Sequence, residues 1–372
     1  MPEFTALDER FAHQIPEPFP NTVQFHPDWR ESLFHHMHPK DRPGDVVILT
    51  LAHFPARKLM DSLQLGRVGD VPTIAHHERA VNGDQDLFKV GPVTIDVEEP
   101  LKRIRLRVDD VAEAAVAMDL TFTARTQPYC LRRGTMKAGH DLVWDQSHMF
   151  QSGRYDGWYR HNGTTYEVTD WIGQRDHSWG IRSEMRTDET HPPLTYYPPF
   201  LYTWTTAQFK NRGLHIFFKE RAPGDKIYIS GEEVFNTGNR ISSRNQITDV
   251  SHNLIWHDDP LGQSLASGDL NLTFADGRKK LITIKTYPVK YFLKGGLYGG
   301  LNGWFHGDFK GKFYSEHETW DLTEANTRKM VRTLADQIIE VKDGDEIGYG
   351  IMEYGVGKGY AEYASVQNHP PI

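Results

Sequence analysis

The chain has 372 residues, 38% of them hydrophobic and 12% aromatic, with a formal net charge of −8. Its length exceeds a usual single core, so two domains are expected, and the acidic balance excludes the basic footprint of a nucleic-acid binder. One cysteine, Cys130, excludes an internal disulfide, and the stretch Met1 to Arg10 has neither a basic nor an apolar signal region, so a cytoplasmic protein without membrane insertion is expected.

In chain order, a proline-rich segment (Pro16, Pro18, Pro20, Pro27) reads as an irregular wrapping arm. Phe34-His35-His36-Met37-His38 follows, with His53 and His76-His77 beyond. As a strand it would put His36 and His38 on one face, as in β-barrel metal sites. The sequence singles out no third and fourth ligand, so hydrogen-bonded or solvated histidines and no metal are expected. Short alternating runs then succeed one another at Val46 to Ala52, Val93 to Val97, Ile104 to Val108, Met118 to Ala124, Tyr155 to Tyr159 and Thr165 to Thr169. The basic stretch Lys102 to Arg107 alternates with apolar residues and reads as a half-buried strand. His191 to Pro199 holds four prolines, which remove ladder donors, and marks the expected domain boundary. Runs resume at Tyr202 to Phe209, Leu214 to Glu220, Lys226 to Glu233, Gly268 to Phe274 and Leu281 to Tyr287. The pairs Asn82-Gly83, Asn162-Gly163 and Asp276-Gly277 fall between runs, where hairpin turns need positive φ. This pattern predicts an all-β chain of antiparallel barrels or sandwiches.

One helix is predicted from Glu324 to Ile338, capped by Thr323, with an apolar stripe of Ala325, Val331, Leu334 and Ile338. Ala112 to Ala117 reads either as a short helix or as the start of the next strand. The glycine-rich Lys294 to Gly300 lacks the strand and helix of a phosphate loop. Trp304-Phe305-His306-Gly307-Asp308-Phe309 reads as a bent strand whose glycines let rings approach. No nucleophile elbow is present, and a serine hydrolase is not expected.

Chemistry concentrates in Gly173-Gln174-Arg175-Asp176-His177-Ser178-Trp179-Gly180-Ile181-Arg182. At the strand period, Arg175, His177 and Trp179 share one face, and Asp176, Ser178 and Gly180 share the other. An imidazole beside an indole suits proton transfer on an apolar molecule. A hydrogen-bonded brace between strands would use the same residues. Asp176 could join His177 only across a bulge.

Gln151-Ser152-Gly153-Arg154, Arg175 to Gly180, Trp304-Phe305-His306-Gly307 and Val90-Gly91-Pro92-Val93-Thr94-Ile95 together resemble the lipocalin-like (calycin) superfamily of hydroxyneurosporene synthase, a carotenoid 1,2-hydratase, with the tocopherol-cyclase-like and AttH-like proteins. The resemblance spans most of the chain, and His-Ser-Trp-Gly is its most specific part. It implies two consecutive lipocalin-like β-barrels, spanning residues 20–190 and 200–365, with an apolar pocket and acid-initiated chemistry without an organic cofactor. It maps His177 and Trp179 onto the family's imidazole and indole. The hydratase's downstream Tyr and Asp have no clear counterpart, since Tyr202 and Trp204 stand at about the right distance without the carboxylate.

The functional expectation is a cofactor-independent lyase, hydratase, isomerase or cyclase acting on an apolar terpenoid, steroid or aromatic molecule in a barrel cavity. His177 and Asp176 are assigned to proton transfer. Trp179, Tyr202, Trp204 and Trp304 are assigned to the pocket wall and to cation stabilisation, and Arg175, Gln151 and His306 to polar anchoring. The expected partner is a small hydrophobic molecule, with monomer and homo-oligomer both left open. The alternative is a non-catalytic carrier or sensor of such ligands.

Overall fold

The computed structural model describes residues 4–11, 13, 26–42, 44–81, 83, 86–111, 114–138, 141–182, 200–235, 245–257, 264–292, 306–330, 335–357 and 359–366. The chain divides into two compact units, Met1–Pro192 with Gly295–Thr323, and Pro193–Lys294 with Glu324–Ile372. The expected boundary at His191 to Pro199, the glycine-rich stretch and Trp304 lie outside the described residues.

The first unit holds β1 (Trp29–His38), β2 (Val46–Phe54), β3 (Leu59–Val68), β4 (Val71–Ala80), β5 (Lys89–Val90), β6 (Val93–Glu99), β7 (Arg103–Val108), β8 (Val116–Ala124), β9 (Tyr129–Cys130), β10 (Gly134–Ala138), β11 (Asp141–His161) and β12 (Thr164–Arg182). The second holds β13 (Leu201–Gln208), β14 (Arg212–Glu220), β15 (Lys226–Phe235), β16 (Gln246–Trp256), β17 (Leu265–Phe274) and β18 (Lys279–Phe292). The chain then returns to the first unit as β19 (Phe313–Thr319), passes through α1 (Ala325–Met330), and completes the second with β20 (Ala335–Asp343) and β21 (Glu346–Val356). Every ladder among the described residues is antiparallel, as the alternating runs and hairpin turns require.

A 13-stranded sheet forms the first unit, in the order β19-β4-β3-β2-β1-β12-β11-β8-β7-β6-β5, with β9 and β10 also paired to β11. Eight strands close the second into a barrel, β13-β14-β15-β16-β17-β18-β20-β21, in which β21 returns to pair with β13. Its core gathers Leu201, Ile216, Phe218, Leu270, Ile282 and Met352. The two-barrel, all-β expectation fits this architecture. The hairpin between β11 and β12 shows the turn chemistry directly. Asn162 and Gly163 take φ of 48° and 75°, the left-handed pair of a type I′ turn. Asn162→Val should destabilise the first unit by about 1 kcal/mol, because a β-branched residue resists positive φ. Denaturant unfolding checks this value.

One expectation needs correction. Among the described residues the helix covers Ala325–Met330, and Ile338, assigned to its apolar stripe, is instead buried in β20 opposite Ile351. The apolar period there was ambiguous because Ile338-Ile339 and Val341 also satisfy a strand buried on both faces. Of the two readings left open for Ala112 to Ala117, the structure bears out the start of the next strand, since Val116 and Ala117 open β8.

Burial differs sharply along the first sheet. In β7 it alternates, with Ile104, Leu106 and Val108 inside and Arg103 exposed. In β1 to β4 nearly every residue on both faces is buried. Continuous apolar strands such as Val46–Phe54 explain part of this. The outward face also buries acids and imidazoles, and that combination directs attention to it.

Candidate functional site

The ten-residue run lies wholly in β12, between β1 and β11, with no register shift from Ile172 to Ile181. Alternation therefore holds along it. Arg175, His177 and Trp179 face inward with Leu33 and Met149, while Asp176 and Ser178 face outward. Within the run Gly180 takes φ 141°, and a Cβ there would meet the Asp145 carbonyl oxygen at 2.0 Å, so only glycine fits.

On the inward face, a segment upstream of β1 meets the motif. A 3-10 turn, Ala6–Glu9, is capped by Thr5. It presents Glu9, whose carboxylate accepts from Arg175 Nη1 and Nη2 at 2.7 Å each, with both residues buried. Arg175 Nε donates to Gln151 Oε1 at 2.9 Å, and Gln151 Nε2 donates to the carbonyls of Leu101 and Thr126. His13 stacks on Trp179 at 3.8 Å with 12° between the rings. Glu31 of β1 bridges His13 Nδ1 and His177 Nε2, the latter at 2.9 Å, and Asp8 meets His13 Nε2 at 3.1 Å. Burial opposes charge on His13, but Glu31 and Asp8 hold its pKa above the usual imidazole range. Both inward carboxylates, Glu9 and Glu31, have partners on both oxygens.

The outward face is arranged differently. One row of paired positions crosses the sheet through Tyr314, Glu78, Asp61, Ala52, Ser32, Ser178 and His148. Asp61 Oδ2 accepts from His306 Nδ1 and from Gly307 N, both at 2.7 Å. Since a carboxylate only accepts, His306 carries its proton on Nδ1 and presents Nε2 as a base. Glu78 Oε1 accepts from Lys310 N at 2.7 Å. A second pair joins His148 Nδ1 to Asp176 Oδ2 at 3.4 Å. Burial lowers the pKa of both imidazoles; Arg30 and Arg182 add to this, and the paired aspartates oppose it. Asp61, Glu78 and Asp176 each bury one carboxyl oxygen that has no hydrogen-bond partner among the described residues. Leaving such a group unpaired costs about 1–3 kcal/mol. Apolar rings lie beside these groups: Phe54 meets His306 edge-on at 5.0 Å, and Phe150 stacks on His148 at 5.5 Å.

Burial, with the charges of Asp61 and Asp308, pushes the Glu78 carboxyl up from the usual 4.5 to about 7. Between those values the folded protein holds a proton that the unfolded chain releases, so stability falls as pH rises through that window. Glu78→Gln should flatten this decline. Melting temperatures of both proteins from pH 4.5 to 8 test it, and parallel curves would refute the assignment.

The residues singled out in sequence therefore separate. His177, Trp179, Arg175 and Gln151 gather on the inward face, and Asp176 and His306 lie on the outward one. Tyr202 and Trp204 belong to the second unit, where they share the face of β13 opposite its core; Tyr202 Oη donates to Glu353 Oε1 at 3.0 Å. Beside Glu353, burial and its neighbouring charge raise the pKa of Asp336 well above the carboxylate range. Sequence reasoning missed Asp61, Glu78 and His148 outside, and Glu9, His13 and Glu31 inside. A lone acid within the apolar stretch Leu59–Val68 was a usable signal for Asp61. His36 and His38 share a face, as expected; both are buried, and His38 Nδ1 donates to the Pro39 carbonyl at 3.0 Å, the hydrogen-bonded of the two expected alternatives.

Residues 4–362 match the model of a Family of unknown function (DUF8625). No curated protein matches the sequence. Among solved structures, an AttH-like protein from Nitrosomonas europaea is similar at 13% identity and a TM-score of 0.51, over 93% of this chain and 98% of that one. Kievitone hydratase from Nectria haematococca aligns at 10% identity and a TM-score of 0.47, over 88% of this chain and 89% of that one. The chain thus has the fold of the lipocalin-like, AttH-like group that its motifs resemble.

Proposed function

The chain belongs to the DUF8625 family of unknown function, and for it we propose a cofactor-independent hydratase, lyase or isomerase whose acid–base groups stand on the outward face of the first sheet. The observation that carries this reading is the set of three buried carboxyl groups, Asp61, Glu78 and Asp176, each with one oxygen unpartnered among the described residues. A fold keeps such groups at a cost in stability, and sites of chemistry are where that cost is tolerated.

His306, oriented by Asp61, is the base. Glu78 is the acid, because a carboxyl with a pKa of about 7 is both protonated enough to donate and acidic enough to do so near neutral pH. In the hydration direction, Glu78 delivers its proton to one alkene carbon. His306 takes a proton from the water whose oxygen bonds to the other carbon. Elimination runs the same transfers backwards, and isomerisation removes and returns protons at different carbons. Arg30 and Arg182, which act electrostatically on both imidazoles, favour a substrate that develops negative charge on oxygen. The rings of Phe54 and Phe150 favour an apolar terpenoid, steroid or aromatic body.

The test is incubation of the full chain with a panel of apolar alkenes, tertiary alcohols and enones in deuterated water, followed by mass spectrometry. Gain or loss of water, or solvent deuterium at carbon, is the expected result. Compounds retained by the protein but returned unchanged would replace the enzyme with a carrier.

A further inference from the structure

We propose that His13, Glu31 and His177 form a binding site for a divalent transition-metal ion of the Zn²⁺ class. Three separate segments supply it: the stretch before β1, β1 itself and β12. One ligand atom from each residue lies within 4.8 Å of the others. Donors around one zinc ion, at about 2.0–2.2 Å each, require convergence of this kind. Two imidazole nitrogens and one carboxylate oxygen select a zinc-like ion over calcium or magnesium, which are held mainly by oxygen.

The surroundings fit as well as the donors. Asp8 meets His13 Nε2 at 3.1 Å, the carboxylate–imidazole support that fixes a ligating ring. Trp179 fixes the same ring from its face by stacking at 3.8 Å. Glu31 and His177 are 3% and 1% exposed, so an ion held there is withdrawn from water. His13 lies outside the strands while the other two ligands lie in the sheet, so the ion fastens this segment to the sheet. Neither Asp61 nor Glu78 takes part, and the site stands or falls separately from the proposed catalysis.

Equilibrium dialysis of the metal-stripped full chain against Zn²⁺, with elemental analysis, tests the proposal, and Co²⁺ serves as a visible-absorption probe of the ligand field. The expected result is one equivalent per chain, with affinity at least ten-fold weaker in Glu31→Gln and in His13→Ala. Asp8→Asn should weaken binding by about 10- to 100-fold through its support of His13. His13 lies outside the strands but bonds to Glu31 of β1 and stacks on Trp179 of β12, so circular dichroism checks the fold of every variant. Failure of the wild-type chain to bind stoichiometric metal would overturn the proposal. So would full affinity in both His13→Ala and Glu31→Gln, which would put the ion elsewhere.

Discussion

Asp61→Asn is expected to lower kcat/KM by about 10²- to 10⁴-fold on whichever substrate the wild-type chain turns over, the range that a positioned acid–base group supplies. Asp61 Oδ2 holds the Nδ1 proton of His306 and also accepts from Gly307 N. Asparagine has nearly the same shape, and its amide oxygen can still accept from both groups, but it carries no charge. The imidazolium that forms when His306 takes a proton then loses its carboxylate partner while the ring stays in position. Native-like circular dichroism with lost turnover is therefore the expected outcome. Turnover within two-fold of wild type would sink the assignment of His306 as base. His306→Ala should match the loss, because the two residues act as one unit and their effects do not add. A double variant no worse than either single variant completes the argument.

Legibility in the sequence followed the range of each physical signal. Alternation, Gly-containing turns and strand lengths are local, so β2, β6 to β8 and β13 to β15 could be read directly, and an all-β chain of antiparallel barrels or sandwiches followed from them; the two-barrel arrangement came from the family resemblance. The local pattern also placed Arg175, His177 and Trp179 on a different face from Asp176. What each face meets is not local. His306 and Asp61 are 245 positions apart, and Arg175 and Glu9 are 166 apart. No spacing rule links such residues. The return of β19 to β4 is hidden for the same reason: the pairing joins Phe313 to Arg79 across most of the chain. Ile338 failed for another reason, since a continuous apolar run does not distinguish a short helix from a strand buried on both faces.

Glu9→Ala is expected to cost the first unit about 3–5 kcal/mol, the usual penalty for leaving one charge of a buried pair without its partner. The pair is bidentate at 2.7 Å, and once Glu9 is removed Arg175 keeps, among the described residues, the Gln151 hydrogen bond and the face of the Phe122 ring. A large loss alone would not separate brace from site, because either role needs Arg175 held in place. The double variant Glu9→Leu with Arg175→Met does separate them. It removes both charges and fills the space with apolar atoms, so it should recover most of the stability, as apolar replacements of buried ion pairs do. If the pair is a brace, the double variant also keeps its turnover, since the proposed chemistry lies on the opposite face. Stability recovered with turnover lost would mean instead that Arg175 anchors the substrate, and the inward face would become the site. Denaturant unfolding of the two single variants and the double, read beside their turnover, decides between these roles, because a brace can be rebuilt from apolar atoms and a substrate anchor cannot.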